Sequence, residues 1–276
     1  MDRIRLIASD MDATLLDEQS QLPADFEETI HALAELGIRF APASGRPLYT
    51  LEAMFPTLRD ELVFIGDNGG AIRWKGQNLF TSEMSPKGWR ALNRLTREQG
   101  DIAVLCGLES AYVERPFAVH DAVLRHFYTK IEYVDRLEDV AAPADKFTIY
   151  LPQHNAQQAY DTVYASQRSI YSVAVAGECW VDIMNPGVHK GAALQTLGQL
   201  WGLPSESMMA FGDTYNDAEM LQTVRYGFLM ENGSEPLRQK VPFLAPSHRE
   251  AGVMQVLHRV LAQNGCVCPE DFVPAH

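Results

Sequence analysis

The chain has 276 residues, 46% of them hydrophobic and 21% charged, with a formal net charge of −13. That length holds one large domain or two ordinary ones around a real core. The acidic balance argues against a nucleic acid or an anionic membrane surface as partner, so an anionic substrate would have to be drawn in by local positive charge or a metal.

The amino end carries Asp2, Arg3 and Arg5 and no long apolar run, so no signal peptide is expected. No window has the roughly 18 uninterrupted apolar residues of a membrane span. The four cysteines, Cys106, Cys179, Cys266 and Cys268, form no CxxC pair and no zinc-like Cys/His spacing. Reduced thiols in a cytoplasmic protein are the expectation.

The apolar run Ile4 to Ala8 reads as a buried strand, ending in Asp10 and Asp12. Pro23 to Leu36 has Phe26, Ile30, Leu33 and Leu36 at helical spacing, with Gly37 as a stop. Ile38 to Ala43 is a second strand running into Ser44-Gly45-Arg46, and a helix follows over Leu48 to Met54. Val63 to Gly66 is a third strand, Asp67 to Gly70 a turn cluster, and Ala71–Trp74 with Asn78–Thr81 a hairpin.

Beyond Thr81 the rhythm changes. Helices are expected at Gly88–Gln99, Val119–Thr129 and Asn155–Gln167. Strands are expected at Ile102–Cys106, Ala111–Glu114 and Lys146–Leu151, with a hairpin from Ser169–Ala176 and Cys179–Ile183. This mixture suggests an α+β module, a sheet backed on one face. After Asn185-Pro186-Gly187 the first rhythm returns. Lys190–Trp201 reads as a helix, Ser207–Phe211 as a buried strand, and Ala218–Gln222 as the start of a helix. Tyr226–Met230 and Phe243–Ala245 are short strands, and Arg249–Ala262 closes as an amphipathic helix. The fold class expected is α/β, a doubly wound, mostly parallel, Rossmann-like core (1–81 plus 185–276) with an inserted α+β cap (82–184).

Four points along this alternation carry chemistry. Asp10 and Asp12, spaced i, i+2 where a strand ends, can share one crevice beyond the sheet, where open α/β sheets place their ligands. Two acids so placed repel unless a cation or proton intervenes; the other reading is an Asx-rich turn. Ser44 and Gly45 offer a hydroxyl and backbone N–H groups to an anion, or form an ordinary helix cap. Lys190 stands at a helix N-terminus, where the dipole disfavours a cation, so it points either to a ligand or to solvent. Asp213 to Asp217 places two acids and Asn216 in a glycine-started turn, suited to Mg²⁺ or to helix capping.

In this order, each at a β-to-α connection, these segments resemble the haloacid dehalogenase-like superfamily, and within it the Cof-type phosphatases with a large α/β cap. Asp10-Met11-Asp12-Ala13-Thr14-Leu15-Leu16 matches the DxDGTLL motif. Ser44-Gly45-Arg46, Lys190-Gly191 and Gly212 to Asp217 match the Ser/Thr-Gly-Arg, lysine and GDxxND motifs. Asp67-Asn68-Gly69 and the Asn185-Pro186-Gly187-Val188 entry to Lys190 also look like this subfamily.

The resemblance implies Asp10 as nucleophile, forming an aspartyl-phosphate, and Asp12 as general acid and then base. It implies Mg²⁺ held by Asp10, the Asp12 carbonyl and Asp213, with Asp217 close by. Ser44, Gly45, Lys190 and Asn216 would bind the phosphoryl group. Arg46 would either steer the substrate or pair with an acid of the core. The family's usual glycine is Ala13 here, which is harmless at negative φ and costs about 1–2 kcal/mol at positive φ.

The implied activity is a Mg²⁺-dependent phosphoric monoester hydrolase acting on a small phosphorylated metabolite, a sugar phosphate or phosphorylated cofactor. A phosphomutase using the same intermediate and a non-catalytic phospho-ligand sensor weakened at Ala13 are the alternatives. The partner expected is the small metabolite alone, on a monomer or weak homo-oligomer. Arg115, His120 and Trp180 are cap residues that would either dip toward the site or serve the core or surface.

Overall fold

The computed structural model describes residues 1–276. The chain opens with β1 (Asp2–Arg3), β2 (Leu6–Asp10), α1 (Phe26–Glu35), β3 (Arg39–Ala43), α2 (Leu48–Ala53), β4 (Val63–Gly66), β5 (Ala71–Trp74) and β6 (Gln77–Thr81). It continues through α3 (Pro86–Gln99), β7 (Ile102–Gly107), β8 (Ala111–Glu114), α4 (Asp121–Phe127), β9 (Ile131–Val134), β10 (Ala144–Tyr150), α5 (Ala156–Thr162), β11 (Ser172–Val175) and β12 (Trp180–Met184). It closes with α6 (Lys190–Trp201), β13 (Met208–Gly212), α7 (Ala218–Thr223), β14 (Tyr226–Met230), α8 (Glu235–Arg238), β15 (Phe243–Ala245), α9 (Gly252–Ala262), β16 (Cys266–Val267) and β17 (Val273–Pro274).

Nine strands make one sheet in the order β17-β15-β14-β13-β2-β3-β4-β5-β6. From β15 to β4 every pairing is parallel, and only the two edges turn antiparallel. Both faces are apolar, as parallel strands require. Ile7, Phe40, Met209 and Phe211 point to the face covered by α1, α2 and α9. Leu6, Ala8, Ala41 and Ala210 point to the face covered by α6, α7 and α8. This is the doubly wound α/β architecture expected. β2 is central in it, so its carboxyl end opens into the crevice where the strand order reverses.

The strands between residues 102 and 184 form a separate six-stranded sheet, β11-β12-β10-β7-β8-β9. It is antiparallel except for β8 with β9. Alternation gives it two different faces. Phe147, Ile149, Val181 and Ile183 pack with Trp89 and Leu92 of α3 and Ala156 of α5. Lys146, Thr148 and Tyr150 of β10 lie on the opposite face, in register with Met184, Asp182 and Trp180 of β12.

Some element boundaries differ from expectation. The helix expected over Val119–Thr129 is a 3₁₀ turn, Arg115–His120, followed by α4; Pro116 starts that turn early. The stretch Asn155–Gln167 breaks at Val163, after the β-branched pair Thr162-Val163. There the buried Tyr164 hydroxyl donates to Asp101 at 2.6 Å. β9 is a short strand without flanking turn signals and lies outside the sequence expectation. No helix is long and apolar enough to cross a membrane. All four cysteines are free.

Candidate active site

The carboxyl ends of β2, β3, β4 and β13 meet at one place. β2 and β13 are hydrogen-bonded neighbours, which brings Asp10 beside Asp213 and Asp217 across more than 200 residues of chain. One carboxylate oxygen from each of these three acids lies within 4.8 Å of the others, and all three residues are buried. Lys190, the first residue of α6, is fully buried beneath them. Its ammonium donates to Asp10 Oδ1 and, at 2.6 Å, to Asp217 Oδ1. The position that looked misplaced against the helix dipole is explained by two ion pairs with buried acids.

Asp217 is saturated: its Oδ2 accepts from the backbone N–H groups of Asp213 (3.1 Å) and Thr214 (3.2 Å). Gly212 makes this possible, because a Cβ there would lie 2.4 Å from Asp217 Cβ. Asp213 Oδ1 accepts only a long 3.4 Å bond from Thr14 Oγ1. Burial, then the Asp217 charge, pushes the Asp213 carboxyl up to about 6, against the opposing pull of Lys190. Burial likewise raises Asp10 above the usual carboxylate range, with Lys190 countering it and Asp217 and Asp213 adding to it. Burial pulls Lys190 down, but Asp10 and Asp217 outweigh it and raise it. Three carboxylates against one ammonium leave negative charge in excess, and hard oxygen donors with such an excess fit a divalent cation such as Mg²⁺. Asp10 and Asp213 are the side chains with capacity to hold it; Asp217 is committed to Lys190 and to its own loop.

A cavity of about 370 Å³ opens above this cluster, lined by Asp10, Asp12, Ser44, Gly45, Arg46, Asp213 and Asn216 among others. Ser44 Oγ accepts from the Arg46 N–H at 3.1 Å, which leaves the hydroxyl hydrogen free to donate. The Asp12 side chain is exposed and is not part of the acid trio. Arg46 grips it with two bonds, 2.6 and 2.9 Å, so of its two expected roles Arg46 takes that of pairing with an acid. Lys190 and Asp217 do not line the cavity; they form its foundation.

Ala13 answers the question its sequence posed: its φ is 57° and its ψ 14°, the left-handed region. Asn232 braces the turn, donating from Nδ2 to the Ala13 carbonyl at 2.8 Å while its Oδ1 accepts from the His248 N–H. Neither Asn232 nor Thr14 was among the sequence candidates.

The six-stranded sheet supplies the opposite wall of the cavity: Phe127, Tyr128, Lys146, Thr148, Ala176, Trp180 and Asp182. Of the three cap candidates, Trp180 reaches the cavity. Arg115 pairs with Asp135 at 3.1 Å, and His120 packs edge-on against Tyr150 at 5.4 Å. Lys146, Thr148 and Asp182 were missed. Polar residues alternating with Phe147 and Ile149 in a buried strand were the available signal.

A family model for haloacid dehalogenase-like hydrolases matches residues 7–257. The chain belongs to the haloacid dehalogenase-like hydrolases. This family member is 31% identical over 262 residues to the 5-amino-6-(5-phospho-D-ribitylamino)uracil phosphatase YbjI of Escherichia coli (strain K12), covering 94% of this chain and 96% of that protein. It is 31% identical over 249 residues to the HMP-PP phosphatase of Cronobacter sakazakii, covering 87% and 89%. The crystal structure of SMU.1108c from Streptococcus mutans superposes with a TM-score of 0.83 at 28% identity, over 94% of this chain and 99% of that one. A HAD/COF-like hydrolase from Plasmodium vivax shares the fold, with a TM-score of 0.84 at 18% identity, over 95% and 97% of the two chains. The expected enzyme class, a phosphoric monoester hydrolase of the Cof type, stands.

Proposed function

We propose that this hydrolase is a Mg²⁺-dependent phosphatase that cleaves a small phosphorylated metabolite through an aspartyl-phosphate on Asp10. The observation that carries the reading is Asp10 itself. It ends the central strand and faces the cavity while Lys190 fixes it from below. The curated relatives support the substrate class, since those named for a substrate act on small phosphorylated compounds.

Ser44 Oγ and the Gly45 backbone bind the phosphoryl oxygens and hold phosphorus in line with Asp10. An Asp10 oxygen bonds to phosphorus as the ester P–O bond breaks, and Asp12 gives its proton to the departing oxygen. Asp12, now a carboxylate, takes a proton from water, whose oxygen attacks the phosphorus; inorganic phosphate leaves and Asp10 is restored. Asp10 and Asp213 would hold Mg²⁺, which would supply positive charge to offset the repulsion between carboxylate and phosphate. Asp12 must first leave Arg46. The Asp12 carboxylate is exposed while the Arg46 side chain is mostly buried, and the entering phosphoryl group offers the guanidinium another anion.

The test is release of inorganic phosphate from a panel of phosphorylated metabolites, with and without Mg²⁺. Asp10→Asn is expected to abolish turnover while leaving the circular dichroism spectrum unchanged. Phosphate release at the wild-type rate from that variant sinks the proposal. Recovery of an isomeric phosphate ester instead of free phosphate favours the mutase, and normal turnover with Ala13 in place removes the sensor reading.

A further inference from the structure

Beside the phosphoryl end, the cavity has a second chemical character, set by the inserted sheet. Asp182 and Thr148 are cross-strand partners on its inward face, both almost fully buried. The Thr148 hydroxyl donates to Asp182 Oδ1 at 2.7 Å. On Asp182 Oδ2 there is only the Asn68 amide at 3.4 Å and, 3.7 Å away, the Lys146 ammonium. Lys146 is shared: it donates to the Gly45 carbonyl at 2.7 Å and pairs with Asp67 at 2.9 Å as well as with the more distant Asp182. Asp145, the remaining acid of this group, is fully buried, with neither carboxyl oxygen hydrogen-bonded. Burial, with Asp67 beside it, holds its carboxyl well above the usual range. One ammonium therefore serves two acids here, and Asp182, the farther of them, is the less fully matched charge on this wall. Phe127 and Trp180, ring centroids 5.0 Å apart, stand beside it as apolar surface.

Resting on the phosphatase reading above, we propose that Asp182, backed by Thr148 and flanked by the Phe127–Trp180 wall, forms a leaving-group subsite. It selects phosphate esters of small uncharged alcohols that present hydroxyl or amino hydrogens, and it disfavours leaving groups bearing a carboxylate or a second phosphate. A hydroxyl or N–H of the leaving group satisfies Asp182 Oδ2; an anion placed there meets a buried like charge. A cavity of about 370 Å³ lies at the small end of ligand sites, so one ring or a short polyol fills it.

A matched pair of substrates tests this. Glycerol 3-phosphate and 3-phosphoglycerate differ by a hydroxymethyl against a carboxylate. The wild type is expected to favour glycerol 3-phosphate in kcat/KM by about tenfold or more. In Asp182→Asn that preference falls by about tenfold, through a higher KM for glycerol 3-phosphate and a lower one for 3-phosphoglycerate. Equal or reversed preference in the wild type overturns the proposal, as does a preference unchanged in the variant. Should the variant fail to fold, the two esters compete against p-nitrophenyl phosphate in the wild type: a lower Ki for glycerol 3-phosphate supports the subsite, and an equal or higher one overturns it. If no ester releases phosphate, the phosphatase reading is what fails. The subsite is then judged by which of the two compounds raises the wild-type Tm more: glycerol 3-phosphate supports it, 3-phosphoglycerate overturns it.

Discussion

Ala13 follows Asp12 in the turn after β2 and stands at φ 57°, a conformation that costs a non-glycine residue about 1–2 kcal/mol. The strain is held by the Asn232 amide on the Ala13 carbonyl. Restoring glycine removes the strain but loosens the unfolded chain, and the two effects partly cancel. Ala13→Gly is therefore expected to stabilise by about 0.5–1 kcal/mol in urea unfolding, with kcat within about twofold of wild type. A loss of stability would mean that the Ala13 methyl makes packing contacts that outweigh its backbone. The amino-acid sequence posed this question without answering it, because φ depends on how the turn after β2 is tied to the distant residues 232 and 248.

At the scale of elements, the decisive contact is between β13 and α7. Gly212 lets the chain double back so closely that Asp217 caps the loop and holds Lys190 of α6. Gly212→Ala puts a methyl carbon 2.4 Å from Asp217 Cβ, and overpacking of this kind costs about 1–3 kcal/mol. The displaced Asp217 then releases Lys190, and with it the orientation of Asp10. The expected result is a fall in kcat of about tenfold or more with a smaller change in KM, measured alongside denaturant unfolding. Unaltered kinetics would show that Asp217 is not what steadies the lysine. Most elements were legible from periodicity, since the parallel strands are continuous apolar runs and the helices carry clear stripes. The less legible places were α4, α5 and β9, where Pro116, the Thr162-Val163 pair and a pairing with β8 overrode the local pattern.

For the molecule as a whole, the buried acids set a pH-dependent stability. Asp213 titrates at about 6 in the fold against 3.8 ordinarily, and Asp10 is raised too. A carboxyl raised on folding stabilises while it is protonated. Its contribution is complete below about pH 4 and is lost as pH rises through about 6. The metal-free protein should therefore lose Tm across that window. Mg²⁺, which favours the ionised acids, should raise Tm more at about pH 7.5 than at about pH 5. Thermal melts at both pH values, with magnesium or with EDTA, check this. A magnesium effect that ignores pH would separate the cation from these acids. The net charge of −13 also grows less favourable with pH, but it is common to both arms of the comparison.

By itself the sequence determined the alternation of strands and helices, the fold class, and the motif residues from Asp10 to Asp217. These follow from hydrophobic period and from side-chain types placed at strand ends, both of which are local. Tertiary structure alone decided that Asp12 is gripped by Arg46 and that Lys190 lies under the site between Asp10 and Asp217. It alone decided that Asp182 faces the cavity with Thr148 behind it. Each of these depends on which strands lie side by side and in what register, and that is settled by packing between segments up to about 200 residues apart.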